Sequence, residues 1–312
     1  MRDTDLILCC GNSNRKLAQS IADAISLPLG DVEVTRFSEG EILAKINCDA
    51  RNRDVFIVQP TCPNPNESLM ELLIMIDAFK RASAARITAV LPYYAYARQD
   101  RKDQGRVPIT AKLVANLITT SGANRVLAMD LHATQIQGFF DIPMDHLYSA
   151  PVVIRFLKNT GIQDMVVVSP DAGSIRMARA FSEKLGTDLA IVDKRRIDGA
   201  TAKALTVIGN VSGKNVMIVD DIIATGGSLV EAASILKRNG ANQIYAAVTH
   251  GVLSGPAVER IQKSEIQEMF VTDSIYHETY PSKIKVLSVA ELLGDAIMRI
   301  HEGKSVSMLF NS

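Results

Sequence analysis

The chain has 312 residues, more than a single hydrophobic core usually sustains, so two domains of ordinary size are expected. At 47% hydrophobic and 22% charged it has too little polar sequence for a long disordered arm. Its 34 basic and 34 acidic side chains cancel, and with no Trp and 5% aromatic residues neither a cationic field nor stacking platforms single out nucleic acid as a partner.

Met1-Arg2-Asp3-Thr4-Asp5 runs into an apolar stretch, Leu6 to Cys10, that reads as a strand and is too short for a secretory core. No apolar run reaches the roughly eighteen residues of a membrane span, so a cytoplasmic protein with no membrane partner is expected. Cys9, Cys10, Cys48 and Cys62 make no CxxC pair and read as reduced core thiols. Further strands are predicted at Val55 to Gln59, Ile87 to Leu91, Val126 to Asp130, Met165 to Ser169, Leu189 to Val192, Val216 to Asp220 and Ile244 to Thr249. These runs are apolar on both faces, as buried parallel strands are. Asn66 to Ala82 carries Leu69, Leu72, Leu73, Met75, Ile76 and Phe79 on one broad face and is the clearest helix. Strands alternating with helices predict an α/β fold on mainly parallel sheets.

The pattern also repeats. Arg53-Asp54-Val55-Phe56-Ile57-Val58, a loop, a helix through Lys80-Arg81-Ala82 and a strand from Arg86 are echoed by Lys214-Asn215-Val216-Met217-Ile218-Val219, a loop, a helix through Lys237-Arg238 and a strand from Gln243. Leu6 to Asn12 likewise mirrors Met165 to Asp171. The copies differ at the strand end, where Gln59-Pro60 stands against Asp220-Asp221. Ligands of parallel sheets bind beyond the carboxyl ends of strands, so the halves are expected to hold different substrates.

After the strand at Val216, Asp220-Asp221 leads through Ala224 into Thr225-Gly226-Gly227-Ser228 at a helix start. Glycines admit an anion to the backbone N–H groups, the hydroxyls add donors, and the helix terminus adds partial positive charge. The carboxylate pair suits ribose hydroxyls or Mg²⁺; the plainer alternative is a helix-capping turn. The segment resembles the phosphoribosyl-binding motif of the type I phosphoribosyltransferase fold.

Asp130-Leu131-His132-Ala133-Thr134-Gln135-Ile136-Gln137-Gly138-Phe139-Phe140-Asp141-Ile142-Pro143-Met144-Asp145 matches the signature of ribose-phosphate diphosphokinases, and the chain resembles that family from Gly11-Asn12 to Ser305-Val306-Ser307. The resemblance implies two tandem phosphoribosyltransferase-like domains, 1–148 on the ATP side and 149–290 on the ribose 5-phosphate side, with residues 291–312 packing back on the first and the active site between them. It implies Mg²⁺ on His132 and Asp171. It places ATP on Phe37, Glu39, Glu41, Arg98, Gln99 and Arg101. Here Phe37 stacks on adenine, the carboxylates accept from its amino group and the arginines pair with the triphosphate; a charged hairpin and a solvated cationic run are the plainer alternatives. Ribose 5-phosphate falls to Asp220, Asp221, Ala224, Thr225, Gly226, Gly227 and Ser228. Lys194-Arg195-Arg196, otherwise a solvated edge, becomes part of a flexible loop with Lys194 catalytic and Arg196 catalytic and facing ribose 5-phosphate.

The implied reaction moves the β,γ-diphosphoryl group of ATP to the C1 hydroxyl of ribose 5-phosphate. A homo-oligomer of dimers forming a hexamer, with ADP and phosphate as regulators, is implied as well. Several residues depart from the family pattern: Glu39 stands for Asp, Ser174 for Gly, Met177 for Arg, Ala224 for Asp, and Ile197-Asp198-Gly199 for a Pro/Arg-rich stretch. They leave open a non-catalytic regulatory paralogue, and a phosphoribosyltransferase is the other rival.

Overall fold

In the computed structural model the chain is described over residues 6–196 and 203–310, the side chains of 194–196, 203–205 and 310 excepted. It divides into two compact units, Met1–Tyr148 with Ser274–Tyr276 and Ser288–Ser312, and Ser149–Asp273 with His277–Leu287.

The first unit contains β1 (Leu6–Cys10), α1 (Arg15–Ala24), β2 (Val32–Arg36), β3 (Ile42–Ile46), β4 (Asp54–Val58), α2 (Pro65–Arg81), β5 (Arg86–Leu91), α3 (Thr110–Ser121), β6 (Arg125–Met129) and β7 (Met144–Leu147). The second contains α4 (Ala150–Lys158), β8 (Met165–Ser169), α5 (Ile175–Leu185), β9 (Asp188–Arg196), β10 (Lys203–Ile208), β11 (Asn215–Ile223), α6 (Gly227–Arg238), β12 (Ile244–Gly251), α7 (Ala257–Lys263), β13 (Ile266–Thr272) and β14 (Ile284–Leu287). The chain then returns to the first unit with α8 (Ala290–His301).

The sheet of the first unit runs β1-β4-β5-β6-β7, all parallel. β4 is buried at every position, as an apolar strand flanked by two others and covered on both faces must be. α2 begins on Pro65, carries Glu67 in its first turn and Lys80 and Arg81 in its last, and so complements its own dipole. Its Leu69, Leu72, Met75, Ile76 and Phe79 join Val114, Ala115 and Ile118 of α3 in one core. α8 packs on α1, with Gly294 so close that a Cβ there would lie 2.8 Å from Cγ2 of Ile25.

The sheet of the second unit runs β10-β9-β8-β11-β12-β13-β14 and is parallel except for β10. α6 covers one face through Leu229, Ala232 and Leu236, and α4 and α5 cover the other through Ile154, Leu157 and Phe181. β8-β11-β12-β13-β14 repeats β1-β4-β5-β6-β7 in order and direction, so the duplication seen in the sequence is a duplication of topology. Both units are α/β with a central, mainly parallel sheet, as predicted.

Some expectations are corrected. β9 does not stop at Val192: its backbone runs through Arg196, with Lys203 of β10 opposite Arg196. Lys194 and Arg196 therefore lie on strand backbone where a loop is expected, because antiparallel pairing sustains a strand after its apolar residues end. Ile197-Asp198-Gly199 lies outside the described residues. β6 ends at Met129, one residue early, because Asp130 turns into the left-handed region at φ 37°. Cys9, Cys10 and Cys62 are buried, but Cys48 is only half-buried. No helix among the described residues is long and apolar enough to cross a membrane.

Candidate active site

The tip of the β2–β3 hairpin and the segments after β5 and β6 carry the candidate residues of the first unit. β2 and β3 form a hairpin whose tip is closed by the N–H of Phe37 on the carbonyl of Glu41 at 2.9 Å, with Gly40 at φ 96°. Phe37, 48% exposed, projects from this tip beside the exposed Glu39 and Glu41. The tip is tied to the first turn of α2 by Arg36, whose guanidinium lies 2.5 Å from Glu67. The loop after β5 reaches the same turn, since the hydroxyl of Tyr96 donates to Asn66. Phe37 and the segment of Arg98, Gln99 and Arg101 are thus both anchored to one helix start. Arg98 and Arg101 are exposed, whereas Gln99 is engaged, its side-chain oxygen accepting from Thr110 at the start of α3. Gln135 donates to Asp100 at 2.7 Å and joins this loop to the segment of His132. His132 is exposed, and the N–H of Leu131 before it donates to Nε2 of the buried His146 at 2.9 Å.

In the second unit the geometry centres on Asp220. β11 carries Asp220 and Asp221 half-buried beyond its apolar run, then bends at Ala224 and Thr225. Gly226, at φ 75°, is in the conformation that glycine alone adopts without strain, and it starts α6 with no side chain capping the helix. The first N–H groups of α6 lack intrahelical partners, and the hydroxyls of Thr225 and Ser228 beside them are exposed. The cradle is braced from behind: the N–H of Ser254 donates to the carbonyl of Ala224 at 2.9 Å, and Arg260 on α7 donates to that of Thr225 at 3.1 Å.

Asp171, after β8, accepts on Oδ1 from the N–H groups of Gly173 at 2.8 Å and Ser174 at 3.3 Å. Oδ1 of Asp220 accepts from the Ser174 hydroxyl at 2.6 Å and from the N–H of Asp221 at 3.0 Å. Burial first, then the neighbouring Asp221 and, more weakly, Asp171 push the Asp220 carboxyl up to about 7, against the pull of the Ser174 hydroxyl. Such a group is poised to take a cation or hydroxyl donors. Among the described residues no three His, Cys, Asp or Glu side chains gather as a metal cage. Arg260 and the Ser174 contact were missed in the sequence, since their partners lie 35 and 46 residues away. The side chains of Lys194 and Arg196 lie outside the described ones.

Residues 6–122 match a family model described as the N-terminal domain of ribose phosphate pyrophosphokinase, and residues 196–311 match the phosphoribosyl synthetase-associated domain. The ribose-phosphate pyrophosphokinase of Thermotoga maritima is 57% identical over 303 residues, 96% of each chain. The chain belongs to the ribose-phosphate pyrophosphokinase family. A second member, from Chlorobaculum tepidum, is 54% identical over 99% of this chain and 96% of its own. The crystal structure of phosphoribosylpyrophosphate synthetase from Mycobacterium smegmatis superposes with a TM-score of 0.91 at 40% identity, covering 96% of this chain and 99% of that one. The likeness in fold therefore runs over nearly the whole chain.

Proposed function

We propose that the protein transfers the β,γ-diphosphoryl group of ATP to ribose 5-phosphate, giving phosphoribosyl diphosphate and AMP. The C1 hydroxyl oxygen attacks the β-phosphorus, the bond from that phosphorus to the α,β-bridging oxygen breaks, AMP departs and the hydroxyl proton passes to solvent. The observation that carries this is near-full-length identity to relatives bearing the name ribose-phosphate pyrophosphokinase. The split in site chemistry supports it further: Phe37 with arginines in one unit, a carboxylate pair beside an uncapped helix start in the other.

Phe37, Glu39, Glu41, Arg98, Gln99 and Arg101 take ATP. The backbone from Ala224 through Gly226 and Gly227, with the hydroxyls of Thr225 and Ser228, takes the sugar phosphate, while Asp220 and Asp221 accept from the ribose hydroxyls. Lys194 neutralises charge on the moving phosphoryl oxygens, and Arg196 faces the sugar phosphate. A divalent cation suits the Asp171 carboxylate, a hard oxygen ligand, and a nearby cation would offset the burial and, after it, the like charge of Asp221 that raise the Asp220 carboxyl. Asp171, and His132 through water, would hold Mg²⁺ brought with ATP, which would supply charge neutralisation to the phosphates. A homo-oligomer built from dimers into a hexamer belongs to the same proposal, as do ADP and phosphate as regulators. A cavity of about 510 Å³ in the first unit is lined in part by Arg86, Arg125, Asp145, Lys304, Ser305 and Ser307, but Arg86, Arg125 and Lys304 are already paired with Asp54, Asp145 and Glu302, so of these only the serine hydroxyls stand uncommitted to a carboxylate.

The test is AMP production from ATP and ribose 5-phosphate with Mg²⁺ and no nucleobase. Turnover is expected; nucleotide binding without turnover would leave a regulatory paralogue, and a requirement for a base would indicate a phosphoribosyltransferase. Lys194→Ala is expected to lower kcat by about a hundredfold or more with little change in KM.

A further inference from the structure

We propose that Ser174 is a positioning residue for ribose 5-phosphate, its hydroxyl holding Oδ1 of Asp220 so that the remainder of that carboxylate is presented to the sugar. Ser174 acts only through Asp220, and so stands on the proposal above that Asp220 accepts from the ribose hydroxyls.

A serine at the start of a helix ordinarily turns its hydroxyl to a backbone N–H two or three residues on, which stabilises the helix. Ser174 occupies that position before α5 and makes no such bond. Its hydroxyl crosses instead to Asp220 at 2.6 Å. The backbone of Ser174 is fixed by its own N–H on Asp171 at 3.3 Å, so one residue touches both carboxylates expected to serve the reactants. With the N–H of Asp221 the hydroxyl puts two donors on a single oxygen, and this sets the plane of a carboxylate that its acidic neighbour would otherwise push aside.

The first unit contains the same device in sealed form. There Ser13, in the loop after β1, donates to Oε1 of Gln59 at 2.8 Å, at the strand end that corresponds to Asp220. Gln59 is fully buried and Ser13 nearly so, and the contact locks a core. At Ser174 the acceptor is a half-buried carboxylate that opens toward solvent, where the lock has a ligand to serve.

The test is steady-state kinetics on Ser174→Ala, Ser174→Gly and Ser174→Thr, with Asp220→Asn as reference. Loss of a hydrogen bond to a charged group predicts a rise in KM for ribose 5-phosphate of roughly tenfold in both the Ala and Gly variants. KM for ATP and kcat are expected to stay within about twofold, and Thr, which keeps the hydroxyl, to return KM to within about threefold of the parent. Ala in the Asp220→Asn background is expected to add less than about twofold, because its partner is already altered. An unchanged KM for ribose 5-phosphate in the Ala and Gly variants, an equal rise for both substrates, or a Thr variant no better than Ala would overturn the role. If Asp220→Asn itself leaves that KM unchanged, the sugar-binding role of Asp220 fails and Ser174 falls with it. A large Asp220→Asn effect beside silent Ser174 variants removes Ser174 alone.

Discussion

Asp220 is half-buried beside Asp221 in the chain, and its carboxyl is raised to about 7 chiefly by that burial. A folded-state value above the unfolded one means that the group favours the folded protein most at low pH. That contribution is lost as pH rises from about 4, the unfolded value, toward 7. Asp220→Asn removes the charge that burial opposes. The substrate-free, Mg²⁺-free variant is therefore expected to melt above the parent at about pH 8, with the difference closing toward about pH 5. Equal differences at both pH values would show that the carboxyl is not raised. On the proposed reading the uncharged variant is also expected to lose affinity for ribose 5-phosphate, which would make a residue that costs stability one that the site uses.

Among the elements, the attachment of α8 rests on a buried polar clamp. Asp54, the first residue of β4, accepts from Nε of Arg86 at 2.8 Å and from its Nη2, and also from Nδ1 of His301 at 2.8 Å. Arg86 in turn donates to the carbonyl of Ile300 at 3.1 Å, binding the last turn of α8 to the start of β5. Asp54→Ala would leave a guanidinium and a buried imidazole without their common acceptor, and a loss of about 3 kcal/mol in urea unfolding is expected. A loss below about 1 kcal/mol would mean that apolar packing alone seats α8. The resemblance implied that residues 291–312 pack back on the first unit, but the clamp itself was not legible, because His301 lies 247 residues from Asp54 and an acidic residue opening an apolar strand looks like a solvated end. β4, β5, β8, β11 and β12 were legible because central parallel strands are apolar on both faces. β13 and β14 were not, since Gln267, Glu268 and Lys285 interrupt their short runs. The site divides the same way: Thr225 to Ser228 could be read locally, whereas the bracing by Ser254 and Arg260 is long-range.

Across the whole molecule, one topology occurs twice and only one copy keeps an open carboxylate pair where β4 and β11 end. Gln59 fills the corresponding place in the first unit, accepting from Ser13 and donating to the carbonyl of Ser68 at 3.2 Å and to Glu71 at 2.9 Å. Glu71 is already engaged by both nitrogens of Asn12, at 3.1 and 3.2 Å, so the network spends its donors on itself. A second sugar site in this unit is therefore closed by packing as well as by residue type, and calorimetric titration is expected to find one ribose 5-phosphate per chain. Gln59→Glu tests the closure directly. It conserves volume but replaces two donations with a carboxylate facing Glu71, and should destabilise the protein by roughly 3 kcal/mol near neutral pH. Burial and the like charge raise the new carboxyl's folded-state pKa, so the loss should shrink as the pH is lowered and a proton restores one donor. Unfolding in urea at about pH 5 and about pH 8 separates this from a simple packing defect, which would cost the same at both. A second equivalent of ribose 5-phosphate bound by the variant would show instead that the first copy retains a latent sugar site, and that residue type alone had silenced it.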